Sequence, residues 1–106
     1  MSRRAVGGMT TDAVATNSQL EFNITESDVQ DGLPAIWITG LAGVEEAYLW
    51  MKVGVTTPIW VEVEDSSGQA TFSITRKHFT INTAGHFGIT KDATAGALVV
   101  SLEGVH

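Results

Sequence analysis

The sequence predicts an all-β domain: a single antiparallel β-sandwich or small barrel of about eight short strands, with an extended N-terminal arm. Three observations predict it. Period-two alternation of apolar and polar residues keeps returning from Leu20 onward. Val, Ile and Thr contribute 31 residues against nine Leu and Met, and β-branched side chains suit strands. Short breaks rich in Gly, Pro, Ser or Thr separate the alternating stretches at even spacing.

Residues 1–19, "MSRRAVGGMTTDAVATNSQ", lack aromatics and a clear period. Alone they bury too little to offset their ordering entropy, so they read as an arm that is flexible until it meets a partner. The sandwich domain then spans residues 20–106. Its alternating stretches follow in order. "LEFNIT" places Leu20, Phe22 and Ile24 on one face, and "AIWIT" places Ile36 and Ile38 opposite Trp37. "EAYLWMKV" places Ala47, Leu49, Met51 and Val53 opposite Tyr48, Trp50 and Lys52. "IWVEVE" turns Ile59, Val61 and Val63 inward and Trp60, Glu62 and Glu64 outward. "ATFSIT" buries Phe72 and Ile74, "HFTIN" Phe79 and Ile81, "HFGIT" Phe87 and Ile89, and "ALVVSLE" Leu98, Val100 and Leu102. The composition of "VEEAYLWMK" also suits a helix, but its alternation, its aromatics and the flanking glycines favour a strand.

Charge and composition exclude several functions. The 106 residues suffice for one domain and one core. Without cysteine there are no disulfides and no Cys-based zinc site. No apolar run approaches the roughly 20 residues of a membrane helix, and the two N-terminal arginines have no apolar segment behind them, so no signal peptide is expected. Residues 1–19 carry a net +1 and residues 20–106 a net −7. An acidic body repels phosphate, which argues against nucleic acid as a partner.

The chemistry of catalysis is sparse. His78, His86 and His106 lack tight metal-ligand spacing, although His78 and His86 begin successive strands and are expected near each other. Glu62 and Glu64 share a strand face, where neighbouring acids normally make a solvated surface rather than a glycosidase pair. No GxSxG elbow, P-loop or GxGxxG occurs. "DSSG" at Asp65 to Gly68 lacks the further acids of a calcium loop and reads as a turn. No catalytic residue, metal or cofactor is expected. Trp37, Tyr48, Trp50 and Trp60 all alternate with the inward stripe on consecutive strands. Either they form one exposed aromatic cluster, the mark of a contact surface, or they fill a second buried face near a sheet edge.

Three segments, "ITGLAGVEEAYLWMKVG", "PIWVEVEDSSGQATFSIT" and "INTAGHFGITKDATAGALVVSL", resemble a pattern in small β-rich virion proteins of tailed bacteriophages. The shared elements are the "GLAG" turn at Gly40 to Gly43, a "W-x-x-V" strand at Trp60 to Val63, a "G-x-F/Y-x-x-x-K" strand at Gly85 to Lys91, and a "T-A-G-x-x-x-V" segment that closes at Val100. The resemblance covers roughly residues 36–102 and implies a structural, non-enzymatic role, above all capsid decoration or cement, with a tail or fibre part as a variant. It implies the major capsid protein and further copies of the chain, as a dimer or trimer, as partners, and the virion surface as location. Trp37, Tyr48, Trp50 and Trp60, with Arg3 and Arg4 of the basic tip, are then the expected protein contacts. The rival reading is a carbohydrate-binding module, with the aromatics stacking on sugar rings and Glu62 accepting hydroxyl hydrogen bonds. A small hydrolase built on Glu62 and Glu64 ranks last.

Overall fold

A computed structural model of the chain describes residues 3–14, 20–30, 32–65 and 68–104. Two antiparallel sheets pack face to face. One has the order β1 (Arg3–Met9), β11 (Leu98–Glu103), β3 (Ala35–Thr39) and β9 (His78–Thr80). The other has the order β2 (Leu20–Ile24), β10 (Gly85–Lys91), β4 (Ala47–Val53) and β5 (Ile59–Glu62), with β8 (Thr71–Phe72) also paired to β4. A small hairpin, β6 (Glu64–Asp65) and β7 (Gly68–Gln69), interrupts the lane between β5 and β8. The interruption is anchored on Leu49: Val63 N–H donates to the Leu49 carbonyl, and Leu49 N–H donates to Ala70. This is the all-β sandwich that the alternation predicts.

The inward stripes become the core. Ile36, Ile38, Leu98, Val100 and Leu102 of the four-stranded sheet face Phe22, Ile24, Leu49, Phe72, Phe87 and Ile89 of the other, all buried. Phe22 and Phe87 stack across β2 and β10 with centroids 5.9 Å apart. Fully burying one such side chain is worth about 1.5–3 kcal/mol. At one end the Gly40–Gly43 turn meets the segment before β11. Gly40 has φ +110°, and a Cβ there would lie 2.5 Å from the Ala97 carbonyl oxygen, so the approach requires glycine.

Several expectations are corrected. The arm expected over residues 1–19 is in part a strand: β1 pairs with β11 from Arg3↔Glu103 to Met9↔Leu98, and Met9 is buried. Beyond it, Val14 N–H donates to the Lys91 carbonyl and Thr94 N–H to the Thr11 carbonyl, so residues 11–14 are fastened across the end of the sandwich. Residues 15–19 lie outside the described residues. Ile74 is half exposed because the strand stops at Phe72; Ser73 then closes a turn, donating from N–H to the Arg76 carbonyl and accepting the Thr75 and Arg76 N–H groups at Oγ. Ile59 is exposed because the β4–β5 hairpin outruns the core: burial falls from Leu49 through Met51 and Val53 to the fully exposed Val55. A short helix, α1 (Glu26–Gln30), follows β2. Its start is a capping box: Asp28 N–H donates to Thr25 Oγ1 at 3.2 Å, and Thr25 N–H donates to Asp28 Oδ2 at 3.0 Å.

Candidate functional site

The expected single aromatic cluster is divided between the two sheets. Trp37 leaves β3 on the outer side of the four-stranded sheet, because its neighbours Ile36 and Ile38 point into the core. Tyr48 and Trp50 leave β4, and Trp60 leaves β5, on the outer side of the five-stranded sheet. The chain crosses between sheets after β3, so β3 does not share a surface with β4 and β5. His78 and His86 are separated in the same way, one on β9 and one on β10. Arg3 and Arg4 sit in β1 opposite Glu103 and Leu102, not at the tip of a free arm. His106 lies outside the described residues.

The outer face of the five-stranded sheet is a checkerboard of rings and charges. Register places Trp50 directly opposite Glu62, and Lys52 directly opposite Trp60. On the other side of β4, Tyr48 stands opposite Thr90, Trp50 opposite Gly88, and Lys52 opposite His86. Beyond β10 lie Asn23, opposite His86, and Glu21, opposite Gly88. The Trp50 indole reaches across to β10, where Nε1–H donates to Thr90 Oγ1 at 2.8 Å. Gly88, the residue opposite Trp50 on β10, is buried and has no side chain of its own. The Trp60 ring lies 5.8 Å from the His86 ring, tilted by 43°, and Lys52 Nζ lies 5.7 Å from the Trp60 centroid. His86 is held from both ends, with Nδ1 at 2.6 Å from Asn23 Oδ1 and Nε2 at 2.5 Å from Glu21 Oε1. Burial, with the nearby Glu46 and Asp92 carboxylates, pushes the Tyr48 phenol pKa up, so its hydroxyl keeps its proton as a donor.

The outer face of the four-stranded sheet differs in kind. Its central positions are Ala5, Val99, Ser101, Ala35, Trp37, Thr39, His78 and Thr80, all uncharged or histidine, with Glu103 at one end. Trp37 and His78 stack with centroids 4.7 Å apart at 23°. Trp37 Nε1 is buried without a hydrogen-bond partner among the described residues. Val99 stands in the middle of this face at 56% exposure.

The expected carboxylate pair is pulled apart. Glu62 stays on β5 beside Trp50, while Glu64 leaves with the β6–β7 hairpin, where it pairs with Gln69. Asp65 pairs with Gly68 in that hairpin, while Ser66 and Ser67 of the "DSSG" stretch lie outside the described residues. Among the described residues, no group of three His, Asp or Glu side chains is placed to hold a metal ion. A shallow hollow of about 330 Å³ between α1 and the loop before β10 is lined by Glu26, Val29, Gln30, Asn82, Thr83 and Ala84. Among the described residues that line it, Glu26 is the one ionisable side chain.

The motif residues at the loop end have structural work. Glu45 joins the Gly40–Gly43 turn to the segment before β11: its Oε1 accepts the Ala42 N–H at 2.9 Å and its Oε2 the Ala95 N–H at 2.8 Å. The Ala95 N–H first, then that of Ala42, hold the Glu45 pKa below its ordinary 4.5. A depressed carboxylate pKa stabilises the fold above the unfolded value and loses that contribution as pH falls through the folded value. The Glu45 link is therefore complete above about pH 4.5 and absent at strongly acid pH. Amide protection factors of Ala42 and Ala95 should fall together on acidification in the native chain. In Glu45→Gln they should already be low at neutral pH and change little. Equal protection of the native chain at neutral and at strongly acid pH would contradict this.

Fold and surface together define a non-membrane-helical β-sandwich with two chemically distinct outer faces, one charge-poor and one mixing rings with charges; among the described residues no helix is long and apolar enough to cross a membrane. No family model, curated protein or solved structure matches the chain.

Proposed function

We propose that the chain is a non-enzymatic structural protein of a bacteriophage virion, of the capsid-decoration or cement type, which attaches to the major capsid protein and to its own copies on the outside of the shell. The observation that carries the attachment is the outer face of the four-stranded sheet. The centres of protein interfaces are depleted of charge and favour aromatic residues. This face supplies the exposed Val99 beside the Trp37–His78 stack, among small uncharged neighbours. Of the expected contact residues, Trp37 belongs to it, and Arg3 and Arg4 lie in its edge strand. The phage-like sequence pattern supports the same reading, since its turns and strands include the loop end and strands β5, β10 and β11.

Two measurements test this. The chain should be found in purified particles at a fixed ratio to the coat subunit, and its absence would overturn the reading. Val99→Glu should remove self-association, read by light scattering, and particle binding. Because Val99 is exposed, its replacement should change folding stability by no more than about 0.5 kcal/mol.

A further inference from the structure

We propose that the outer face of the five-stranded sheet is a binding site for a neutral oligosaccharide, with Trp50 and Trp60 as stacking platforms. This goes beyond the virion reading and does not depend on it, because it uses the opposite side of the sandwich.

The first argument is the arrangement of rings and charges. A protein partner is held by contiguous apolar area with little charge at its centre. Here each tryptophan has a charged residue as its direct cross-strand neighbour, Glu62 for Trp50 and Lys52 for Trp60. The rings are therefore separated by hydrogen-bonding groups. A sugar unit needs this alternation: one side of a pyranose is a patch of C–H groups that lies on an aromatic face, while its rim of hydroxyls both donates and accepts. Glu62 and Glu21 accept, Lys52 and the protonated Tyr48 phenol donate.

The second argument is preorganisation. The Trp50 ring is fixed by its Nε1–H bond to Thr90, and Gly88, its direct neighbour on β10, puts no side chain beside it. Its nitrogen is already used, so what remains for a ligand is the ring itself. Trp60 is braced by His86, and His86 by Asn23 and Glu21. Rings and brace are set before a ligand arrives, which reduces the ordering cost of binding. The third argument is charge. Glu21 and Glu62 lie on this face, and residues 20–106 carry a net −7, so a phosphorylated, sulfated or sialylated ligand is repelled and a neutral one is not.

The test is an array of neutral and acidic oligosaccharides probed with the full chain. Any neutral ligand found is then titrated while the Trp50 indole N–H and the Gly88 and Thr90 amide resonances are followed. We expect retention of neutral glycans, shifts confined to these signals, and at least tenfold weaker binding for Trp50→Ala and Trp60→Ala. Glu62→Gln, a mild surface change, should also weaken binding if either tryptophan variant fails to fold. Val99→Glu should bind glycan normally, which keeps failure of this site distinct from failure of the attachment surface. A blank array, retention of acidic glycans alone, or binding unaffected by Glu62→Gln and Trp60→Ala would overturn the proposal. So would loss of self-association in Trp50→Ala, which would make this face a protein contact.

Discussion

Phe72→Ala is expected to destabilise the domain by about 3–5 kcal/mol, the largest effect of any single truncation considered for this chain. Phe72 is fully buried although β8 is only two residues long. Its place is set by register: it stands opposite Ala47 on β4, whose methyl leaves room for a phenyl ring. Truncation would leave a hole next to an alanine, lined by core residues that are themselves close-packed and cannot collapse into it. A domain of this size has about 5–15 kcal/mol of stability in all, so the variant should be marginal at room temperature. Urea denaturation with an unchanged slope would measure the loss. A loss below about 1 kcal/mol would mean that Phe72 is not in the core.

What was legible in the sequence, and what was not, follows from the range of the interactions concerned. Ile36, Ile38, Leu98, Val100 and Leu102 are buried as their alternation requires, because a strand with one face in a core must alternate, and that is local information. Strand β1 was not legible. A register shift between Ala5 and Gly7 means that Val6 and Met9, three residues apart, both pack against the core, and such a spacing has no period of two. The short helix had a readable signal in Thr25-x-x-Asp28, but it is too short for a helical stripe. Of the contact residues, the outward direction of Trp37, Tyr48, Trp50 and Trp60 was legible, and their separation into two surfaces was not. Which strand neighbours which depends on crossovers between sheets, which no local pattern encodes. For the same reason Glu21, Asn23 and Thr90 were missed and His86 was paired with His78 instead: their own strands mark them as outward, but only the sheet order β2–β10–β4–β5 brings them to Trp50 and Trp60.

Lys91→Met is expected to cost about 2–4 kcal/mol and to release the segment at residues 11–14. Lys91 is the last residue of β10, only 2% exposed, and its register opposite Ala47 places its aliphatic stem in the inward row after Phe87 and Ile89. From there Nζ reaches the end of the sandwich and donates to the Asp12 carbonyl at 2.8 Å, the Asp92 carbonyl at 3.2 Å and Thr94 Oγ1 at 3.2 Å. Three donors thus meet three acceptors from two separate segments. Methionine keeps the apolar stem but leaves those acceptors without their partner, and an unmade bond to a buried polar group costs more than a made one contributes. The backbone bonds that depend on the same junction, Val14 N–H to the Lys91 carbonyl and Thr94 N–H to the Thr11 carbonyl, should lose protection in amide exchange before the Phe87 and Ile89 amides in the middle of β10 do. That order separates local release of the segment from general unfolding. If the variant loses less than about 0.5 kcal/mol and keeps the Val14 and Thr94 amides protected, water replaces the Nζ contacts without penalty, and Lys91 does not fasten the N-terminal segment.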